Sequence, residues 1–151
     1  MGRTAVASGE AGWPCEEVAL RPEAAAGLSS PVRSALRHMA ENYAEPITLK
    51  DLAGLTKLSP YQIIRAFRRE LGITPHAWLI RHRVALGTKL LERGESIATV
   101  AFEVGFVDQT HFTRHFKRLH GATPARFVTG GQAALAARSS APTRGSIRAC
   151  H

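Results

Sequence analysis

Arginine recurs at one spacing in two separate parts of this 151-residue chain. Tyr61, Arg65 and Arg68 stand at i, i+4 and i+7, and Thr110, Arg114 and Lys117 repeat that spacing 49 residues later. On a helix such positions share one face. A guanidinium there is a planar fork of donors that fits paired acceptors, either phosphate oxygens or the O6/N7 edge of guanine, so the chemistry suggested is recognition of a polyanion. His111 and His115 are also one helical turn apart and could offer two ligands to a metal, with His120 or His151 near in sequence. No acidic third ligand stands beside them, and Asp108 is accounted for as a helix cap, so no metal is expected. The chain has no G-x-S-x-G, no glycine-rich phosphate loop and no buried acid pair, so neither catalysis nor a cofactor is expected. Cys15 and Cys150 lie near opposite ends, outside any CxxC pair or Cys/His cluster, and read as reduced, incidental thiols.

Such faces need helices to carry them, and helix starts recur along the chain. Ser30-Pro31, Thr48 with Asp51, Ser59-Pro60 with Gln62, Thr74-Pro75, Ser96, Asp108 and Thr123-Pro124 each put a side-chain oxygen where a first helical turn leaves N–H groups free. Four of these starts add proline at the first helical position, where the missing N–H costs nothing. The signals predict helices over 31–44, 49–55, 60–71, 75–92, 97–103, 109–120 and 124–129. Pro46, Gly72, Gly94, Gly105 and Gly121 supply the stops. No segment alternates apolar and polar residues long enough to argue for a sheet, so the expected class is all-α.

The second half of the chain repeats the first. Thr48–Ala53 corresponds to Ser96–Ala101 at an offset of 48, and one extra residue in the following turn makes the offset 49. Beyond that turn Ser59 meets Asp108, Arg65 meets Arg114, Phe67 meets Phe116, and Gly72-Ile-Thr-Pro75 meets Gly121-Ala-Thr-Pro124. Each copy is a short helix, a turn and a second helix. Ile63, Phe67 and Leu71 form the inward stripe of the first second-helix, and Phe112, Phe116 and Leu119 that of the other. In a helix-turn-helix the second helix enters the major groove, about 12 Å wide, and presents its outer face to base edges.

The charge distribution agrees with a polyanionic partner. Net charge is +8, while residues 1–30 carry −2 and residues 130–151 carry +3, which leaves 15 Lys/Arg against 8 Asp/Glu between 31 and 129. The basic excess thus resides mainly where the helices are predicted. Residues 1–30 and 130–151 are rich in small and polar types without sustained period and read as flexible tails, dispensable for binding. No stretch approaches the ~18 apolar residues of a membrane span, and no basic region followed by an apolar block opens the chain. A soluble, unexported, cytoplasmic protein is expected.

These residues together resemble the AraC family of bacterial transcription regulators over roughly 31–129. The densest match is Ile97-Ala-Thr-Val-Ala101, then Val104-Gly-Phe-Val-Asp-Gln-Thr-His-Phe-Thr-Arg-His-Phe-Lys117, then Gly121-Ala-Thr-Pro124. Leu52-Ala53, Ser59, Arg65-Ala-Phe67, Gly72, Arg83 and Leu90-Leu91 match a looser first half. The resemblance implies two homeodomain-like helix-turn-helix subdomains, 31–74 and 93–129, joined by a linker helix over 75–92. It implies base-facing positions for Tyr61, Ile64 and Arg65, with Gln62 adjacent, and for Gln109, Thr110, His111 and Arg114. Arg68 and Lys117 extend the same stripes. Ile64 departs from hydrogen-bonded readout and offers either contact with a thymine methyl or no contact at all. At ~1.5 Å per residue the linker spans about 27 Å, compatible with recognition helices near one ~34 Å turn of DNA apart. Trp78 reads as a core anchor for that helix.

The partner so implied is double-stranded DNA on the bacterial nucleoid, with RNA polymerase as the further partner a regulator would meet. About 30 residues precede the first helix, too few for an effector-binding domain within this chain. Two rival functions are a sequence-indifferent architectural DNA binder and a basic helical module for an acidic protein. Tyr, Gln, Thr and His at groove-facing positions weigh against the first, since charge alone would need only Lys and Arg. The duplication weighs against the second.

Overall fold

The computed structural model describes residues 27–130, which hold seven helices and no strand. Six are α1 (Ser30–Glu41), α2 (Leu49–Thr56), α3 (Pro60–Leu71), α4 (Pro75–Glu92), α5 (Ile97–Glu103) and α6 (Gln109–His120). The seventh, α7, runs over 124–130. The polar helix starts are realised as hydrogen bonds. Thr48 and Ser59 form reciprocal capping boxes with Asp51 and Gln62. Thr74, Ser96, Asp108 and Thr123 each accept from the backbone N–H three residues on. Gly72, Gly94, Gly105 and Gly121 follow their helices at positive φ, and Lys57 ends α2 in the same left-handed region at φ 64° despite its side chain.

α1 departs from the sequence expectation at both ends. Its N-cap is Ser29 rather than Ser30, and the Ser29 side chain caps no helical N–H. Instead the Ser29 N–H and hydroxyl donate to the two carboxylate oxygens of Glu70 at 2.7 and 2.9 Å, which ties the start of α1 to the end of α3. Leu28, one residue further out, packs against the first core, so the ordered fold reaches into the segment that composition alone reads as tail. At the other end α1 stops at Glu41 and not at 44: the Asn42 N–H makes the last helical bond, to the His38 carbonyl at 3.0 Å, its side-chain amide donates to the same oxygen at 2.8 Å, and the Glu45 N–H then turns back to the Asn42 carbonyl at 3.0 Å. Pro46 then holds Glu45 away from helical geometry. Cys15, Cys150, His151 and the rest of both tails lie outside the described residues.

The core divides into two clusters that share α4. Leu36, Met39, Leu52, Ile63 and Phe67 of α1–α3 close on Trp78 and Leu79. Val100, Val104, Phe106, Phe112 and Phe116 close on Ile80, Val84 and Leu91, with Phe127 of α7 packed alongside. Ile80, Val84, Gly87 and Leu91 follow at i, i+4, i+7 and i+11 and face the second unit, while Trp78 and Leu79 face the first. A helix with apolar contacts on two sides has little surface left for water. α4 is accordingly a shared structural element rather than an exposed spacer.

Candidate nucleic-acid interface

The outer faces of α3 and α6 owe their exposure to the inward stripes on the opposite side. Ile63 and Phe67 are buried on α3, as are Phe112 and Phe116 on α6, and Leu71 and Leu119 are partly buried against their cores. On the exposed side stand Tyr61, Gln62, Arg65 and Arg68 of α3, and Gln109, Thr110, Arg114 and Lys117 of α6. Ile64 and His111 are half-buried at the edges of those faces. The ten residues singled out from the sequence therefore fall on two equivalent helix faces, one in each unit.

Several of these side chains are already oriented. The Arg65 guanidinium carbon lies 5.7 Å from the Tyr61 ring centroid, a cation–π contact that steadies the fork while leaving its donors open. No ion pair engages Arg65, Arg68, Arg114 or Lys117 among the described residues, whereas neighbouring Arg69 does pair with Glu70 at 3.4 Å. Gln62 has a competing task, because its Oε1 accepts the Ser59 N–H at 2.9 Å in the capping box. Only its amide NH2 is left for another acceptor. Asp108 likewise spends a carboxylate oxygen on the His111 N–H, at 2.8 Å.

His111 and His115 of α6 both pack on Phe106. His111 meets the Phe106 ring edge-on at 5.4 Å, His115 stacks on it at 5.8 Å, and the two imidazoles are 4.9 Å apart. Burial, then the charge of His111, Arg118, Arg114 and His76, holds the His115 pKa below the ordinary histidine value. Among the described residues no three His, Cys, Asp or Glu side chains are grouped to hold a metal. The His111 Nδ1 is buried without a partner, so this ring is held largely by its aromatic contacts.

Three features are not singled out by sequence reasoning. His82, beside Arg83 on α4, is buried, stacked on Trp78 at 4.8 Å and edge-on to Tyr43 at 5.8 Å. Gly87 sits where α4 packs directly on Phe112 of α6 and Val100 of α5. Phe102 and Val107, flanking the turn of the second unit, are 79% and 81% exposed although apolar. Gly105, a helix stop in the sequence, has φ 96°, and a Cβ there would stand 3.0 Å from the Ala44 Cα.

Two helix-turn-helix units on a shared helix, each with an unpaired cationic face on its second helix, define a double helix-turn-helix DNA-binding domain. A helix-turn-helix domain family model matches residues 52–130. The chain belongs to that family, in its AraC-type branch. It is 40% identical over 83 residues to the uncharacterised HTH-type transcriptional regulator YbfI of Bacillus subtilis, covering 55% of this chain and 30% of that one. It is 33% identical over 105 residues to the arabinose operon regulatory protein of Escherichia coli, covering 68% of this chain and 36% of that one. Its fold is similar to the DNA-binding domain of the global transcriptional factor AdpA, solved in complex with a target DNA. There the TM-score is 0.65 and the identity 30%, over 70% of this chain and 96% of that one. The chain spans about a third of the length of the curated relatives it matches. The family is one of DNA-binding transcription regulator domains. No helix among the described residues is long and apolar enough to cross a membrane.

Proposed function

We propose that this chain binds double-stranded DNA sequence-specifically by inserting α3 and α6 into two successive major grooves. The observation that carries the reading is the equivalence of the two exposed faces. Arg65 and Arg114 occupy the same place in the repeat, each exposed and without a carboxylate partner among the described residues. Tyr61, Gln62, Ile64 and Arg65 read base edges in one groove, and Gln109, Thr110, His111 and Arg114 in the next. Arg68 and Lys117, one turn further along, engage phosphates. Bound at a promoter on the nucleoid, such a regulator acts through RNA polymerase.

Selection of bound fragments from randomised duplexes, followed by footprinting, tests this. The expected result is an asymmetric site with two protected major-groove patches about one helical turn apart for each protein chain. A footprint confined to one groove, or no enrichment over scrambled DNA, overturns it.

A further inference from the structure

We propose that Arg83 is a positioning residue that locks the two helix-turn-helix units at one relative placement, so that the chain accepts two half-sites at a single spacing. The proposal rests on the two-groove reading above. Arg83 lies on α4, the element common to both units, and is 9% exposed. Its Nε donates to the Tyr43 carbonyl at 2.7 Å, and one terminal nitrogen donates to the Glu45 carbonyl at 3.1 Å. Both acceptors belong to the turn after α1, in the first unit. The other side of the same guanidinium abuts the turn of the second unit. A Cβ on Gly105 would stand 3.0 Å from the Arg83 Nε and Cζ and 3.0 Å from the Ala44 Cα, and the Phe106 centroid is 5.9 Å from Cζ. The two turns therefore meet across one side chain. Tyr43 packs against both cores at the same place.

This joint is built on backbone carbonyls and on a missing side chain. A buried guanidinium with no carboxylate beside it among the described residues is a costly group to use merely for cohesion, since packed hydrocarbon would serve as well. Its distinctive property is the rigid planar fork, which fixes direction as well as distance between the groups it joins. Lysine has a single ammonium on a flexible stem and cannot reproduce that geometry. α2 and α3 pack within the first unit and α5 and α6 within the second, so the angle between α3 and α6 depends on α4 and on this contact.

The test uses the full chain and duplexes in which the two selected half-sites stand at native spacing or with one or two base pairs added or removed. Each added pair turns one half-site by roughly 35° relative to the other. Wild type is expected to lose about tenfold or more in affinity with each one-pair change, approaching its affinity for a duplex that keeps only one half-site. Arg83→Lys and Arg83→Met are expected to bind single half-sites as wild type does. They should bind the native full site about tenfold more weakly, and their spacing profile should be nearly flat. A variant that keeps the wild-type profile, or that weakens single half-sites and full sites alike, overturns the proposal and leaves Arg83 a general stabiliser. Should wild type itself bind full and single half-sites equally, the two-groove reading fails first. A measurement independent of any Arg83 variant uses the distance distribution between spin labels at positions 69 and 118, on exposed sides of α3 and α6. A single narrow peak is expected in the free protein, and a broad distribution overturns the lock.

Discussion

Arg65 and Arg114 share a position in the repeat but differ in setting, since among the described residues only Arg65 of the two has an aromatic ring beneath it. A bidentate arginine–guanine contact discriminates by about 1 to 3 kcal/mol. Arg65→Ala and Arg114→Ala are each expected to weaken the selected site by that amount and to relax preference at different base pairs, about one turn apart. Lys117→Ala should instead weaken all sequences about equally and lower the salt slope by about 1. Circular dichroism confirms that each variant folds, and unchanged ratios of specific to scrambled binding in both arginine variants would refute base readout by these residues. His82 supports a second prediction. Burial, with Arg83 adding to it, lowers its pKa from 6.5 to about 4, and the Trp78 and Tyr43 rings cover the imidazole. Between those two values the unfolded chain holds a proton that the folded chain lacks, so stability is full above pH 6.5 and falls as pH drops towards 4. The loss is at most about 3 kcal/mol. His115 contributes with the same sign, and Asp51, whose carboxylate is favoured by its Thr48 hydrogen bonds, adds a loss only at lower pH. Urea midpoints at pH 7.5 and 4.5 should converge in His82→Phe relative to wild type, and an equal drop in both proteins would exclude His82 as the main source.

At the scale of elements, the two glycines inside helices separate propensity from packing. Gly54 lies within α2, with open space where a Cβ would go. Gly54→Ala should therefore stabilise by about 0.5 to 1 kcal/mol through helix propensity alone. Gly87 lies within α4, where a Cβ would stand 2.9 Å from Phe112 Cε1 and 3.1 Å from Val100 Cγ1. Both neighbours are fully buried and cannot swing away. Overpacking there outweighs the propensity gain, and Gly87→Ala should destabilise by about 1 to 3 kcal/mol. Denaturant unfolding of the two variants checks the opposite signs, and stabilisation by Gly87→Ala would mean that α6 yields more readily than its packing indicates. The caps work on the same scale. Asp108 and Ser59 fix where α6 and α3 begin, and so which residues of each helix come first on its outer face.

For the whole molecule, the excess of 15 Lys/Arg over 8 Asp/Glu between residues 31 and 129 lies in the folded part. Cations that make no ion pair among the described residues, on two faces, release counterions when they meet phosphate, so binding to any duplex should fall steeply with salt. Six phosphate contacts would give a log–log slope of about −5. A slope near zero, measured by anisotropy on specific and scrambled duplexes, would contradict a DNA-binding surface. Scrambled DNA should retain most of the slope while losing affinity, because phosphates set the slope and bases set the preference.

The bounds of α3, α4, α5 and α6 were legible in the sequence because caps and stops are local. Ser59 with Gln62, Thr74, Ser96, Asp108, Gly72 and Gly121 act within four residues of their own positions. The two exposed faces of α3 and α6 were legible for a related reason, since the repeat displays the same apolar stripe and the same arginine twice. Contacts between residues about forty positions apart have no such signature. Ser29 spends its donors on Glu70, and Arg83 reaches the turn at Tyr43 and Glu45, which also goes with the early end of α1. In the sequence Arg83 stands only as a match to the family pattern, with no partner indicated, and His82 is not singled out. Both are buried because α4 has a core on each side, and which of its faces meets which core is decided only when the two units close on it.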